Sequence, residues 1–188
     1  MRFAVVGCGS IARRHIANLL AMGHDVAACN RGDEKRRIAS EQFAIPTFTT
    51  PEDMFTRWPA QAALICTSTT QHAKDSLAAA RAGLNLFIEK PLSHDKEGLD
   101  LLEREIAERN LIAHVGSNMR FHFGPRLVYQ TLTSQRLGRP LWGALWGRMH
   151  LPDWHPWEDH RQGTSAKREL GGGAVLDFIH EIDLALWL

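Results

Sequence analysis

Cysteine is scarce in this chain, and the chain has neither a strong net charge nor a long hydrophobic run. Its 188 residues include three cysteines, an odd number without regular spacing, which argues against a disulfide framework and a zinc site. The formal net charge is +1, so nothing favours nucleic acid or an acidic membrane as a partner. No apolar stretch reaches membrane-spanning length and no signal peptide precedes the first strand, so we expect a cytoplasmic protein.

What is present is typical of a folded protein with a real core. Hydrophobic residues make up 44% of the chain and charged residues 23%, and the length suits one large or two small domains. Each cysteine stands near the end of a predicted strand, where we expect it to be a small buried apolar residue; the three are Cys8, Cys29 and Cys66.

Apolar runs and helical periodicity alternate through the first two thirds of the chain. The runs predict strands at 3–6, 25–29, 62–66, 84–88 and 111–116. Helices are expected at 11–22, 34–43, 72–82 and 95–109, and a short helix begins after Thr50 as N-cap, with Pro51 at its first position. Such alternation predicts an α/β fold, a Rossmann-type parallel sheet with helices on both faces.

The pattern changes near Arg120, where we place a domain boundary that separates residues 1–120 from 121–188. Beyond it we expect a helix at 125–135, a strand at 141–150, a loop at 151–173 and a helix at 176–188. Tryptophans concentrate in this part, at Trp142, Trp146, Trp154, Trp157 and Trp187.

A glycine-rich turn joins the first predicted strand to the first helix. Gly7-Cys8-Gly9-Ser10-Ile11-Ala12 fits the pattern G-x-G-x-x-G/A in the strand–turn–helix context that the motif needs. Gly7 permits the tight turn, Gly9 lets the backbone approach a pyrophosphate, and Ala12 allows close packing of helix on strand. The free N–H groups of Ser10 and Ile11 at the helix start favour a bound anion. The loop predicts a dinucleotide site.

The end of the second strand bears on which dinucleotide binds. The acidic residue that would hold the ribose 2′-hydroxyl of NAD is replaced by Asn30, and the following Arg31 can pair with a 2′-phosphate. This favours NADP slightly over NAD, although Asp33 and Glu34 are near enough to keep NAD open. Arg31 as a solvated turn residue is the alternative.

Glu89-Lys90-Pro91 follows the predicted strand 84–88 and therefore places a lysine at the carboxyl end of a parallel strand. Ligands bind at that edge of an open α/β sheet. An ammonium group there is costly to bury, and it is well placed to donate a hydrogen bond to a hydroxyl or carbonyl oxygen beside a bound cofactor.

Five ordered segments together resemble the glucose–fructose oxidoreductase/inositol dehydrogenase (Gfo/Idh/MocA) family. They are the Gly7 loop, residues 65–72 (Ile-Cys-Thr-Ser-Thr-Thr-Gln-His), 89–92 (Glu-Lys-Pro-Leu), 116–121 (Gly-Ser-Asn-Met-Arg-Phe) and 171–183 (Gly-Gly-Gly-Ala-Val-Leu-Asp-Phe-Ile-His-Glu-Ile-Asp). The resemblance spans the whole chain. It implies an oxidoreductase that passes a hydride between a nicotinamide and a carbinol or carbonyl carbon of a sugar, polyol or nucleotide sugar.

The same resemblance implies three catalytic residues. Lys90 would orient and polarise the reacting oxygen, and Asp177 and His180 match the acid/base pair. Many relatives separate that pair by four positions rather than three, which leaves open which of the two is the base. His180 can also be a core histidine, and a structural role is favoured for Asp183. Asp177, His180 and Asp183 share one face if a single helix includes all three.

The resemblance also implies residues around the cofactor and the substrate. The cofactor candidates beyond the glycine loop, Asn30 and Arg31 are Thr67, Ser68, Thr69, His72, Glu89, Lys90 and Asn118. Thr70 is favoured as the N-cap of the next helix, and His72 either contacts the cofactor or solvates the turn. The substrate candidates are Arg120, Trp154, His160, Arg161 and Arg168, with Lys167 beside them. Arg120 can equally be structural, and the others can belong to an ordinary exposed loop. Gly171-Gly172-Gly173 permits a tight backbone path.

In the family the second domain continues into a large sheet, so the resemblance implies that residues 121–188 begin a substrate and dimerisation domain that is truncated here. We expect a homo-oligomer in a full-length form. The alternative function is a non-catalytic nucleotide-binding or interaction module of the same family. No metal site is expected.

Overall fold

Six parallel strands form the sheet; the apolar runs predict five of them, and the two-residue strand Thr47–Phe48 was not predicted. The computed structural model describes residues 1–154, 156 and 159–188, so Trp157 lies outside the described residues. The chain separates into an N-terminal unit, Met1–Val115, and a C-terminal unit, Gly116–Leu188, at residue 115 where we expected 120.

The N-terminal unit alternates strand and helix throughout. Its strands are β1 Arg2–Val6, β2 Asp25–Cys29, β3 Thr47–Phe48, β4 Ala62–Ile65, β5 Asn85–Ile88 and β6 Ala113–Val115. Its helices are α1 Ser10–Ala21, α2 Asp33–Phe43, α3 Pro51–Arg57, α4 Thr69–Arg81 and α5 Leu99–Glu108.

The strand order is β3-β2-β1-β4-β5-β6, with every pair parallel, which confirms the Rossmann-type fold. The direction of winding reverses between β1 and β4, and the crevice at such a point is where ligands bind in open α/β sheets. Helices pack on both faces. Ile16 of α1 lies in the apolar cluster on one face, and Met54 of α3 lies in the cluster on the other.

Local signals locate most of these elements to within a few residues. Thr50 caps α3 by accepting a hydrogen bond from the Asp53 N–H at 3.2 Å, with Pro51 at the first position, as predicted. Helix α5 begins at Leu99 rather than Asp95, because Gly98 before it adopts a left-handed conformation with φ of 75°.

The C-terminal unit consists of short helices. They are α6 Phe123–Thr133, α7 Leu151–Trp154, α8 Ala174–Asp177 and α9 Ile179–Trp187, with 3-10 turns at Asn118–Phe121, His160–Gln162, Thr164–Ala166 and Arg168–Leu170. None of the helices described in either unit is long and apolar enough to cross a bilayer.

Two predictions for this unit are wrong. Residues 141–150 form no strand; their side chains are exposed, and the described part of 116–188 contains no other strand that could pair with them. The single helix expected at 176–188 is broken at Phe178 into α8 and α9.

Candidate functional site

The register of the sheet brings the predicted functional segments of the N-terminal unit to one edge. Val6 of β1 pairs with Cys29 of β2 and with Ile65 of β4, and Ile65 pairs in turn with Ile88 of β5. These strands therefore end side by side. The residues that follow them, from the glycine loop to the lysine motif, all emerge at the carboxyl edge, as predicted.

The glycine loop has the geometry that its sequence predicts. Gly7 has φ of +109°, and a Cβ atom there would lie 2.6 Å from the Cys66 carbonyl oxygen, so only glycine fits. A Cβ atom on Gly9 would meet nothing within 4 Å, which leaves open space beside the backbone at the start of α1. Ala12 is fully buried, which confirms its predicted role in close packing. The loop thus offers the N–H groups of Ser10 and Ile11 to an anion.

The cysteines near this loop are buried and unreactive. Burial raises the pKa of the Cys8 thiol to about 11 and that of Cys29 to about 12, and it raises the pKa of Cys66 further. All three stay protonated near neutral pH, so none is a nucleophile. The positive charges of Arg36, Arg13 and Lys35 oppose the shift at Cys8.

Asn30 supports the loop with its side chain. Its Oδ1 accepts the Cys8 N–H at 3.3 Å, and its Nδ2 donates to the Gly32 carbonyl at 3.0 Å. Arg36 donates to the Asn30 carbonyl oxygen at 2.9 Å. Asn30 therefore orders the turn in which the exposed Arg31 lies.

Arg31 lines a cleft of about 230 Å³ at the carboxyl edge. The other lining residues come from the ends of β1, β2, β3 and β4 and from α3 and α4: Val6, Cys29, Asn30, Thr49, Pro51, Thr67, Ser68, Gln71 and Asp75. The cleft contains four of the predicted cofactor residues, namely Asn30, Arg31, Thr67 and Ser68.

Asp75 is a lining residue that sequence reasoning missed. It is 6% exposed, and its carboxylate accepts a hydrogen bond from the Thr67 hydroxyl at 2.8 Å. Burial raises the pKa of the Asp75 carboxyl, against the opposing effects of the Thr67 hydrogen bond and the charges of Arg31 and His72. A signal existed, because Asp75 falls in the buried stripe of α4 at helical spacing from His72.

Helix α4 begins earlier than expected, and this overturns one prediction. Its N-cap position is Ser68, so Thr70 is the second residue of the helix and not its cap. Thr69, at the first helical position, is buried, and the hydroxyls of Ser68 and Thr70 lie 3.4 Å apart.

His72 is also placed differently from both of its predicted positions. It is 2% exposed, so it does not solvate the turn. Its Nδ1 lies 2.8 Å from the Pro91 carbonyl oxygen and its Nε2 lies 3.0 Å from that of Thr67. Both ring nitrogens are occupied inside the N-terminal unit, which opposes the predicted contact with a cofactor.

Lys90 lies where the sequence predicts, two residues after the end of β5, half-buried and joined to Pro91 by a cis peptide bond. The preceding Glu89 is held by a residue that sequence reasoning missed. His15 of α1 places its Nε2 2.7 Å from Glu89 Oε1, in a contact where both side chains are largely buried. No signal in the sequence pairs positions 74 residues apart.

In the C-terminal unit the proposed acid/base residues lie on different helices. Asp177 is the last residue of α8 and accepts a hydrogen bond from the Ser165 hydroxyl at 3.1 Å. His180 lies in α9 beyond the break at Phe178. The prediction that one helix presents both on a common face is therefore wrong, whereas His180 and Asp183 do share α9.

Asp183 has the structural role that was favoured for it. Arg120 donates two hydrogen bonds to its carboxylate, at 2.8 and 2.6 Å, and the guanidinium lies 5.9 Å from the centre of the Trp187 ring. These hydrogen bonds hold the pKa of the Asp183 carboxyl below its ordinary value. Asn118 opens the 3-10 turn that carries Arg120.

The substrate candidates are spread over the short helices. The Trp154 ring stacks on Phe178, with ring centres 6.0 Å apart. Arg161 pairs with Asp159 at 2.9 Å, and Lys167 donates to Gln162 at 3.1 Å. His160 and Arg168 each begin a 3-10 turn.

The tight backbone path expected at the glycine triplet is present at Gly172, where a Cβ atom would clash with the Thr164 carbonyl oxygen, whereas a Cβ atom on Gly173 would meet nothing within 4 Å. Across both units, the described residues contain no cluster of three His, Cys, Asp or Glu side chains arranged to hold a metal ion.

The chain is similar in sequence to oxidoreductases that act on sugars and polyols. Over 97% of its length the chain is 28% identical to a 1,5-anhydro-D-fructose reductase from Ensifer adhaerens, of which it covers 54%. Over its whole length it is 27% identical to an inositol 2-dehydrogenase from Serratia proteamaculans, again covering 54%. The chain thus spans about half the length of these relatives.

Solved structures agree on the fold. Myo-inositol 2-dehydrogenase from Lactobacillus plantarum matches the whole chain with a TM-score of 0.81 at 24% identity, over 56% of that protein. The WlbA dehydrogenase from Bordetella pertussis, solved with NADH and UDP-GlcNAcA, matches 74% of this chain and 44% of its own with a TM-score of 0.70 at 25% identity.

The family model for the GFO_IDH_MocA oxidoreductases, described by their NAD-binding Rossmann fold, matches residues 1–117. That range contains the glycine loop, the cleft and the lysine motif. The chain belongs to this oxidoreductase family.

Proposed function

We propose that the N-terminal unit binds a nicotinamide dinucleotide at the carboxyl edge of its sheet, for hydride transfer to or from a sugar, polyol or nucleotide sugar. The observation that carries the proposal is the space beside Gly9, where a Cβ atom would meet nothing within 4 Å while the start of α1 presents its N–H groups. The relatives named above act on inositol and anhydrofructose, which supports this substrate class.

The chain's own residues fit such a cofactor. Gly7, Gly9, Ser10 and Ile11 would hold the pyrophosphate by backbone contact, and the positive charges of Arg36 and Arg13 that act at Cys8 favour its negative charge. The cleft beside Arg31 would take the adenosine end. The other predicted cofactor contacts are Thr67, Ser68, Thr69 and Asn118. The Glu89 carboxylate is proposed to act indirectly, through its contact with His15 of α1.

The catalytic roles proposed for Lys90, Asp177 and His180 follow from the family resemblance. When bound, the nicotinamide accepts or supplies the hydride at the reacting carbon. Lys90 donates a hydrogen bond to the substrate oxygen and stabilises negative charge on it. In the oxidation direction the hydroxyl proton passes to His180 or Asp177, and the same group returns it in reduction.

The substrate contacts remain proposals as well. Trp154 offers an aromatic face that suits the apolar face of a sugar, and its stacking on Phe178 holds the ring in place. Arg120 is proposed to act at most indirectly, because Asp183 occupies its guanidinium. His160, Arg161 and Arg168 stay predicted contacts, and a homo-oligomer in the cytoplasm stays a prediction.

Substitution of Lys90 tests the proposed activity. We expect the purified protein to quench or enhance reduced-nicotinamide fluorescence on binding and to oxidise an inositol or sugar alcohol. Lys90→Ala should then lower kcat by about 10²-fold or more, a larger effect than any loss of dinucleotide affinity that comes from the predicted cofactor contact of Lys90. Turnover unchanged by Lys90→Ala contradicts the mechanism. Dinucleotide binding without turnover on any polyol instead favours the non-catalytic module.

Arg31 tests the preference for NADP, which remains a proposal. Because Arg31 lines the cleft, Arg31→Ala should weaken NADPH binding by about tenfold and change NADH binding little, since only NADPH carries the 2′-phosphate. Arg37→Ala, which removes an exposed arginine from α2, is the matched control. A tenfold preference of the unmodified protein for NADH overturns the proposal.

A further inference from the structure

We propose that two histidines, His15 and His72, hold the chain on both sides of Lys90 and thereby position its ammonium group. The inference rests on the proposed role of Lys90. A lysine side chain is a flexible four-carbon stem, so the place of its charge depends on how firmly its backbone is held. A displacement of 1 Å at a reacting group can lower a rate by about 10²-fold.

His15 holds the residue before Lys90. The His15 side chain projects from α1 and places Nε2 2.7 Å from Glu89 Oε1, with 21% and 15% of the two side chains exposed. The imidazole also meets the Phe87 ring edge-on, with ring centres 5.3 Å apart, which fixes its orientation. Glu89 is thus joined to the helix whose first turn forms the dinucleotide site.

His72 holds the residue after Lys90. Its Nδ1 lies 2.8 Å from the Pro91 carbonyl oxygen, and its Nε2 lies 3.0 Å from the Thr67 carbonyl oxygen. A carbonyl oxygen only accepts a hydrogen bond, so the contact with Pro91 requires a proton on Nδ1, and both contacts are hydrogen bonds only when the imidazole carries a proton on each nitrogen. His72 thereby joins the segment after β5 to the segment after β4, which lines the cleft.

His15 contacts Glu89 through Nε2, whereas His72 contacts Pro91 through Nδ1. Because the ring nitrogens differ, substitutions can remove each contact selectively. The amide nitrogen of glutamine can occupy the place of a histidine Nε2, and that of asparagine the place of Nδ1. His15→Gln should therefore keep the contact with Glu89 and His15→Asn should lose it. The order reverses at the other position, where His72→Asn keeps the contact with Pro91 and His72→Gln loses it. A general loss of packing at either site would not produce this crossed pattern.

The chemical shift of the Lys90 side chain can be measured by NMR without a bound cofactor. Reductive methylation with ¹³C labels the five lysines, and Lys90→Arg assigns the Lys90 signal. We expect that signal to move in His15→Asn and His72→Gln, to stay near its original position in His15→Gln and His72→Asn, and the other four lysine signals to stay in place throughout. Equal responses to asparagine and glutamine at both positions overturn the proposal.

Two further measurements keep the test decisive. If the variants fail to fold, the ¹⁵N NMR spectrum of the histidine rings in the unsubstituted protein still tests the proposal. A His72 Nδ1 without a proton near neutral pH overturns the proposed hydrogen bond to Pro91. If turnover is established, the two displacing variants should lower kcat at least tenfold, with the dinucleotide KM within a few-fold. Failure of the proposed function would appear as absent turnover with the Lys90 signal still following the crossed pattern.

Discussion

The N-terminal and C-terminal units of this chain differ most in how they bury apolar side chains. Among the described residues, every buried apolar side chain lies in Met1–Val115, apart from Leu184. In the C-terminal unit Trp142 is 85% exposed and Leu186 84% exposed. The parallel sheet covers both of its faces with its own helices, whereas the short helices after residue 115 leave large apolar side chains in solvent.

The difference shows which sequence signals can be trusted. A strand in the middle of the sheet meets its partners within the same unit, so an apolar run such as that of β4 forms the strand that its pattern predicts. Residues 141–150 carry bulky apolar side chains interrupted by Gly143, Gly147 and Arg148, and they have no strand to pair with in the described part of their unit. The two segments thus differ both in the continuity of the apolar pattern and in the presence of a pairing partner.

The largest effect is expected when a buried side chain is removed from the sheet. Ile65 of β4 is fully buried between its neighbours, and Ile65→Ala should lower the free energy of unfolding of the N-terminal unit by about 2–5 kcal/mol, through lost burial and the cavity left behind. Leu186→Ala, the matched change at an exposed site, should alter it by less than about 0.5 kcal/mol. Chemical denaturation measures both. Similar losses from the two substitutions would abolish the contrast between the units.

A second prediction separates folding from binding within the N-terminal unit. Gly7→Ala should cost about 3 kcal/mol, because its φ is +109° and the added Cβ would lie 2.6 Å from a carbonyl oxygen. Gly9→Ala should cost less than about 1 kcal/mol, since nothing lies near the added Cβ, yet it should weaken dinucleotide binding by filling the open space. Thermal unfolding and fluorescence titration measure the two effects. Unchanged binding in Gly9→Ala would contradict the proposed site.

The smallest predicted effect concerns the Arg120–Asp183 pair of the C-terminal unit. Its hydrogen bonds lower the folded-state pKa of Asp183, so the stabilisation is present above the unfolded-state pKa of about 3.9 and is lost as pH falls through the lower folded value. Asp183→Asn should therefore destabilise the unit by up to about 1 kcal/mol near neutral pH and by less below pH ~4, because the pair is partly solvated.

The control for this prediction is Asp159→Asn, which removes an ion pair with Arg161 that lies at the surface. It should cause no measurable change in stability. Unfolding curves recorded from pH 3 to 7 distinguish the two variants, and a difference between Asp183→Asn and the parent protein that does not vary with pH would contradict the assignment.

Much of the fold and part of the candidate site were predictable. The glycine loop, the capped helix after Thr50 and the lysine after β5 depend on residues adjacent in sequence, and the structure places them as predicted. Thr70 is not the cap of α4, because the helix begins three residues earlier than its periodicity predicts. Errors of that size are inherent in periodicity, which locates a helix better than its first turn.

The parts that were missed depend on distant residues. His15 of α1 contacts Glu89, which lies 74 residues further along the chain. The helix break at Phe178 separates Asp177 from His180, and neither a proline nor a glycine at the break predicts it. Neither feature follows from local propensity, because each depends on how complete elements pack.

The amino-acid sequence by itself determined the alternation of strands and helices, the dinucleotide loop and the position of Lys90 at a ligand-binding edge, because steric limits on glycine and the two hydrophobic periods act locally. Only the tertiary structure decided that Glu89 and Pro91 are held by histidines from two different helices, and that the apolar run at 141–150 stays unpaired. Hydrogen bonds between distant elements form only after the sheet has brought those elements together, so the sequence pattern alone does not contain them.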